Sequence, residues 1–246
     1  MKKHIALLSV LGVIFTASAQ TTTNNIVQPP KYPWDSSASA GLTLTRGNSQ
    51  TLLATATVLT GKKTPDDEIS LGADGSYGTA NSVENVDSLH GFSQYNQLFS
   101  EKFFGYARAE ALHDAIADLQ YRISVGPGVG YYFLKETNTT LAGEAGANFV
   151  TQRLGGLGDS YATLRLAERF EHKFGGSGAR VWENVEILPQ VDKFNNYLVN
   201  AEIGIEASIS KRTSLKTFLQ DNFNNDPAAS RQKNDVKLVS GLSFKF

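Results

Sequence analysis

The chain contains no cysteine among its 246 residues. This absence excludes disulfide frameworks, thiolate metal sites and cysteine nucleophiles together. Methionine occurs once, and the 7 prolines are too few for a proline-rich, low-complexity chain. The formal net charge is -1. Since nothing in this charge balance attracts a polyanion, we expect no nucleic-acid partner.

Long hydrophobic runs are also missing. The longest mostly apolar segment covers residues 5–15, which is too short to cross a bilayer comfortably as a helix. It follows Lys2 and Lys3 and precedes Ala17-Ser18-Ala19, which is the layout of a secretory signal peptide. We therefore expect residues 1–19 to be a cleaved signal peptide, residues 20–34 a periplasmic tail and residues 35–246 the folded domain.

A two-residue alternation of apolar and polar side chains begins at Trp34 and continues to the last residue. In residues 196–210, for example, Ile203 and Ile205 lie on one face while Glu202 and Glu206 lie on the other. The pattern predicts about twelve strands, each near the length that a tilted membrane strand needs. They cover residues 35–46, 48–60, 67–79, 86–99, 103–112, 119–134, 138–150, 159–174, 179–189, 196–210, 212–223 and 234–246.

The predicted connections alternate in length. The even-numbered connections are mostly tight: GKKTPDD, SEKF, KETN, GGSG and SKR. The odd-numbered connections after the first are longer: TANSVENVD, HDAIAD, TQRLGGLGD, QVDKFNN and NNDPAASRQKN. Short turns at one end and longer loops at the other are typical of an outer-membrane barrel. An even number of strands then places both termini on the short-turn, periplasmic side.

Charged side chains share one face of most strands, and the opposite face is apolar. A soluble β-sandwich also alternates, but the signal peptide, strand lengths and connection lengths favour an all-β, transmembrane, antiparallel up-and-down barrel. Outer-membrane lipid is then a partner, and the oligomeric state stays open. The predicted lumen-lining charged residues are Arg108, Glu110, Arg122, Glu144, Arg165, Arg169, Glu202, Glu206 and Lys216.

Other residues test this scheme. Aromatic residues cluster near the short-turn ends of the strands, as in the girdles of outer-membrane barrels. Glu168 and Glu183 fall on apolar faces of neighbouring strands. We expect a β-bulge to turn both carboxylates inward, and a functional carboxylate pair is the alternative.

The stretch RISVGPGVGYYF, residues 122–133, carries Pro127 within a strand pattern. Because proline cannot donate to a sheet ladder, it predicts a local bulge or a missing ladder bond. Gly126, Gly128 and Gly130 share the inward face of this strand. We expect them to leave room in the lumen for long side chains such as Arg108 and Glu144.

Several short motifs carry a family resemblance. Trp34, GLTLTRGNSQT at residues 41–51, DLQYRISVGPGVGYYF at residues 118–133 and the terminal Phe246 resemble the salt-induced outer-membrane protein family, the YdiY-like barrels. The resemblance implies an outer-membrane β-barrel of unestablished biochemical function, and the family name suggests a link to envelope or salt stress. It carries over no catalytic residues.

The last strand carries a second resemblance. Leu242, Phe244 and Phe246 resemble the signal recognised by the barrel-assembly machinery, which we expect as a partner during biogenesis.

Two functional hypotheses follow. The first is a structural barrel or a narrow small-solute pore with a charged lumen. The second is an outer-membrane hydrolase acting on lipid or peptide at the outer surface, for which His113, Asp114 and Asp118 in a predicted outer loop are candidate dyad or calcium residues. The chain has neither a G-x-S-x-G nor an H-E-x-x-H motif. We therefore favour the first hypothesis, with no catalytic, cofactor-binding or metal-binding residues.

Overall fold

The alternating segments form strands that close on themselves. The computed structural model describes residues 32–45, 51–176 and 178–246. Across these residues the chain forms twelve antiparallel strands in a closed up-and-down barrel, each strand paired with its sequence neighbours and β1 with β12. The strands are β1 Asp35–Thr45, β2 Thr51–Lys63, β3 Asp67–Ala80, β4 Val83–Leu98, β5 Phe103–Asp114, β6 Leu119–Lys135, β7 Thr139–Leu154, β8 Leu157–Phe174, β9 Ala179–Pro189, β10 Tyr197–Ser208, β11 Thr213–Asn224 and β12 Asn234–Lys245. The predicted signal peptide and most of the predicted tail lie outside the described residues.

The connections differ from the prediction. The even-numbered turns are short, as expected, but two odd-numbered connections that we expected to be long are two-residue turns, at residues 81–82 and 155–156. Asn81 and Ser82 have φ values of 50° and 65°, and Gly155 and Gly156 have 59° and 77°. Positive φ at both central residues is the type I′ geometry that suits the twist of paired strands. Residues assigned to loops therefore extend the strands, while residues 225–233 do form a long loop.

The outer surface of the barrel is apolar. Large side chains such as Ile203, Ile205 and Leu238 are exposed by 56%, 51% and 65%. An apolar surface of this extent is unfavourable in water and matches the lipid-facing band of a membrane barrel. Near the even-numbered turns this surface is rich in exposed aromatic residues: Phe99, Phe103, Tyr131, Phe133, Phe174, Phe244 and Phe246.

A small apolar cluster lies inside the barrel, at the end of the barrel where the even-numbered turns are found. Phe104, Tyr106, Tyr132 and Ala142 are buried together, and Leu98 packs against them. The rings of Phe104 and Tyr132 lie 5.1 Å apart. At this end the interior beside β4 to β7 is therefore filled by side chains. Among the described residues, no helix has the length and apolarity needed to cross a membrane.

Candidate functional site

Contacts between strands that are not neighbours identify the inward face. Tyr132 of β6 donates to Glu68 of β3 over 2.6 Å, and Lys237 of β12 donates to Ser88 of β4 over 2.9 Å. Side chains on separated strands meet only across the enclosed space. The inward face therefore lines a lumen, and this lumen is the candidate site.

Glu144 on β7 is an inward residue with a side-chain exposure of 0%. One carboxylate oxygen accepts from Arg165 Nη1 at 2.6 Å. The other accepts from Gln94 Nε2 at 3.0 Å and from Arg169 Nη2. Because a buried carboxylate needs charge-assisted partners to offset its lost hydration, these three donors define a fixed arrangement.

Arg165 extends this arrangement toward β9 and β10. Its Nε donates to Glu186 at 2.8 Å, and its Nη1 also donates to Tyr106 at 3.0 Å. Asn200 donates to the other oxygen of Glu186 at 2.8 Å. Charged and polar groups are thus joined in a continuous chain from β7 to β10.

The same arrangement continues toward β3. Gln94 donates to Asn96 at 3.0 Å, and Asn96 donates to Glu68 at 3.1 Å. Arg108 donates to Gln94 at 3.3 Å and to Glu110 at 2.8 Å. We call the connected side chains the cross-lumen network: Glu68, Gln94, Asn96, Arg108, Glu110, Glu144, Arg165, Arg169, Glu186 and Asn200.

His90 joins this network at the side of β3. Its Nδ1 lies 2.9 Å from Asp74 and its Nε2 lies 3.3 Å from Glu110. The imidazole therefore bridges carboxylates on the two neighbouring strands. Its ring also stacks on Phe92, with centroids 6.0 Å apart.

A second polar cluster lies close to the even-numbered turns. Arg180 donates to Glu206 at 2.9 Å and to Glu171 at 2.7 Å. Ser214 donates to the remaining oxygen of Glu206. Trp182 donates to Glu202 at 2.6 Å. Most charges in this cluster are thus paired.

The structure places every predicted lumen-lining charge on the inward face. Glu144, Arg165, Arg169, Arg108 and Glu110 meet in the cross-lumen network. Glu202 and Glu206 belong to the second cluster. The remaining two stay apart: Arg122 donates to Gln152 at 2.8 Å, and Lys216 lies over the rings of Trp182 and Phe218.

Sequence reasoning missed several members of the lumen. Glu68, Asp74 and Glu186 are charged residues on inward faces, and strand alternation alone would have found them. Gln94 lies on the inward face as well. Its bond to β7 depends on how strands distant in sequence face each other.

The three glycines of β6 make room for other side chains than we expected. A Cβ atom at Gly128 would overlap the Tyr106 ring, and one at Gly130 would overlap the Phe104 ring. A Cβ atom at Gly126 would overlap Asn148. The expectation that Arg108 and Glu144 fill this space was wrong for Gly128 and Gly130, because the cross-strand aromatic residues lie directly over these two glycines, whereas Gly126 pairs with Arg108 in the ladder.

Pro127 interrupts the ladder on one side. Its pairing with Ala107 of β5 belongs to a regular register. Toward β7, pairing stops after Val125 and resumes at Gly128 in the same register. Ladder pairing toward β7 is therefore absent at this position, as predicted, and there is no bulge.

Glu168 and Glu183 do not turn inward. Glu168 pairs with Val185 and Glu183 pairs with Phe170, in a β8–β9 ladder without a register shift. Both carboxylates are exposed on the outer surface. The expected bulge is absent, so the sequence alternation holds through both positions.

The candidate hydrolase residues do not assemble a dyad. His113 and Asp114 are consecutive strand residues, so their side chains lie on opposite faces. His113 Nδ1 donates to the carbonyl of Gln120 at 2.8 Å, and Asp114 accepts from the Ala117 backbone at 2.9 Å. Asp118 has a φ of 56° in the same four-residue connection. These contacts stabilise the β5–β6 turn.

The opposite side of the lumen has a different lining. The inward residues of β1 to β3 include a contiguous group of small hydroxyl side chains: Ser37, Ser39, Thr55, Thr57 and Ser76. We call this group the hydroxyl strip. All five are half-buried, whereas Gln94, Asn96, Glu144 and Arg165 are exposed by only 3–4%. The cross-lumen network is therefore packed, and the hydroxyl strip borders accessible space.

This geometry can be set beside known proteins. A family model described as a protein of unknown function, DUF481, matches residues 38–246. The chain belongs to the DUF481 family. The match confirms the resemblance seen in the sequence motifs. No curated protein matches this chain in sequence.

Solved structures with a similar fold are outer-membrane barrels. The NanC porin is 7% identical, with 86% of this DUF481 chain and 100% of the porin covered and a TM-score of 0.54. An outer-membrane channel from Pseudomonas putida F1 is 8% identical, with coverages of 92% and 100% and a TM-score of 0.49. The KdgM porin is 9% identical, with coverages of 87% and 99% and a TM-score of 0.45. At these identities the likeness to the NanC porin shows the fold, and the predicted fold class is confirmed.

Proposed function

We propose that this protein is an outer-membrane barrel that conducts small hydrophilic solutes along a narrow, off-centre path. In this arrangement both termini lie in the periplasm after export through a cleaved signal peptide. The apolar outer surface and the aromatic residues near the even-numbered turns support a membrane location. A role in salt or envelope stress is consistent with such a pore.

One observation carries the proposal: the two sides of the lumen are lined differently. Buried charged side chains, held by mutual hydrogen bonds, fill the space beside β4 to β9. Beside β1 to β3 the lining includes a group of short hydroxyl side chains that stay partly accessible. Hydroxyl groups both donate and accept hydrogen bonds, so they suit hydrated solutes without fixing them tightly.

The absence of cysteine gives a direct test. Ser39→Cys and Thr57→Cys place thiols on the hydroxyl strip, and Ala56→Cys places a matched thiol on the outer surface of the same region. We expect a charged, water-soluble methanethiosulfonate to label the first two variants in vesicles and to leave Ala56→Cys unlabelled. The same modification of Ser39→Cys should reduce the conductance measured in planar bilayers.

The outcomes separate the alternatives. Absence of conductance steps together with unlabelled Ser39→Cys and Thr57→Cys would show a plugged, structural barrel. Labelling of Ala56→Cys at the rate of Ser39→Cys would contradict the membrane location. Electrophoretic mobility that does not change on boiling would argue against a folded membrane barrel altogether.

A further inference from the structure

Lys216 differs from the other buried cations of the lumen. It lies on the inward face of β11, and only 8% of its surface is exposed. Arg165, which is buried to a similar degree, has Glu144 and Glu186 within 2.8 Å. Among the described residues, Lys216 has neither a hydrogen bond nor a carboxylate within the 4.0 Å of an ion pair.

The carboxylates nearest in the register are already engaged. Glu206 pairs with Lys216 across β10 and β11. Its oxygens, however, accept from Arg180 and Ser214. Glu202 on the same strand accepts from the Trp182 indole. The ammonium group of Lys216 therefore has no carboxylate partner within hydrogen-bond or ion-pair distance, although Glu202 and Glu206 lie on the neighbouring strand.

Aromatic rings surround the ammonium group instead. Its Nζ lies 5.0 Å from the centroid of the Trp182 ring and 4.7 Å from that of Phe218. Two cation–π contacts offset part of the lost hydration. They leave the three N–H donors of the ammonium group without an acceptor, so an anion beside it would complete its coordination.

The wall next to Lys216 consists of two glycines whose backbones approach closely. Lys216 pairs with Gly241 of β12. Gly241 lies against Gly41 of β1, at a distance that a Cβ atom would not allow. Neither glycine projects a side chain, so the ammonium group borders the side of the lumen where the hydroxyl strip begins.

We propose that Lys216, Trp182 and Phe218 form a subsite that binds small anions, such as a halide or the carboxylate group of a solute. The ammonium group supplies the charge and the hydrogen-bond donors, and the two rings hold it in place. The subsite rests on the proposed function, because an anion reaches it through a water-filled lumen. It would make Lys216 the residue that favours anions on the path along the hydroxyl strip.

Quenching of Trp182 fluorescence tests the subsite without any need for ion flow. The chain has 2 tryptophans, so Trp34→Phe leaves Trp182 as the single reporter. Iodide, an anionic quencher, is compared with acrylamide, a neutral one, for the folded barrel in detergent. We expect Lys216→Gln to lower the iodide quenching constant about fivefold, the factor that one unit charge a few ångströms away gives in water. The acrylamide constant should not change.

Matched variants control this experiment. Lys237→Gln removes another inward lysine, which donates to Ser88, and should leave iodide quenching unchanged. Lys216→Arg keeps the positive charge and should keep most of the iodide quenching. Each variant is first required to show the heat-dependent mobility of the folded barrel.

Equal iodide quenching in the Trp34→Phe barrel and its Lys216→Gln variant would overturn the subsite. The subsite would also be overturned if acrylamide quenches the Trp182 fluorescence of the barrel and iodide does not. If iodide quenching depends on Lys216 while Ser39→Cys stays unlabelled and no conductance appears, the subsite stands and the continuous path fails. If labelling and conductance are seen without iodide quenching, the subsite alone fails.

Discussion

Gln94 donates a hydrogen bond to Glu144 over 3.0 Å, although β4 and β7 are separated by two strands in the barrel. This bond joins the two halves of the cross-lumen network. It also fixes the position of the fully buried Glu144 carboxylate between Arg165 and Arg169. The filled side of the lumen depends on it, and the first two predictions follow from this pair.

Replacement of Glu144 should strongly destabilise the barrel. Glu144→Ala leaves Arg169 without its carboxylate and Arg165 with Glu186 alone. Loss of one partner from a buried ion pair costs about 3–5 kcal/mol. Urea unfolding of the barrel in vesicles should show this loss. Glu171→Gln is the matched control because its side chain is 31% exposed, so the change should stay below about 1 kcal/mol. Equal losses would contradict a central role for Glu144.

Shortening of Gln94 should widen the conducting path. Gln94→Ala removes the bond from β4 to β7 and the one from Arg108. We expect a higher single-channel conductance in planar bilayers and a stability loss of about 1–2 kcal/mol, since each hydrogen bond contributes modestly. Gln97→Ala is the control, because Gln97 is an exposed residue of the same strand on the opposite face. An unchanged conductance for Gln94→Ala would show that the bond from Gln94 to Glu144 does not limit the width of the path.

An added methyl group at Gly128 should disturb the interior. A Cβ atom there would overlap the ring of Tyr106. Tyr106 is only 5% exposed, so its ring has little room to move away. Overpacking of this kind costs about 1–3 kcal/mol, which urea unfolding of Gly128→Ala would measure. At Gly75 the nearest atom to an added Cβ lies 3.6 Å away, so Gly75→Ala should be nearly neutral. A neutral Gly128→Ala would mean that Tyr106 is placed elsewhere.

Removal of the outward carboxylates should stabilise the barrel in a bilayer. Glu168 and Glu183 lie exposed on the apolar surface, where a charged group is unfavourable. Glu168→Leu and Glu183→Leu should each raise the free energy of unfolding in vesicles by up to about 2 kcal/mol, less than a lysine costs at the midplane. Val185→Glu, at the position that pairs with Glu168, should lower it. A loss of stability in both leucine variants would point to a partner for these carboxylates.

Much of the fold followed from local pattern. Strand alternation placed most strand ends within about three residues of those observed, as for β5 and β11. The largest errors were at the odd-numbered connections, where residues such as Val83 and Leu157 begin strands that we had assigned to loops. Two-residue type I′ turns at residues 81–82 and 155–156 depend on positive φ values, and Asn-Ser and Gly-Gly were signals for them.

The candidate site was predictable only in part. Alternation selects the inward charges, because successive side chains point to opposite faces of a strand. It does not select partners: Arg122 and Lys216 share the inward face with Glu144, yet neither joins the cross-lumen network. The partners depend on which strands face each other across the lumen and on the position of each residue along the barrel axis.

The sequence by itself determined the strands, their pairing order and the face that each side chain occupies, because a period of two fixes these locally. Tertiary structure decided that Tyr106 and Phe104 fill the space over the β6 glycines, that Gln94 meets Glu144 across the lumen, and that Lys216 faces two aromatic rings without a carboxylate partner. These contacts arise only when the barrel closes, since closure brings strands distant in sequence to within side-chain reach.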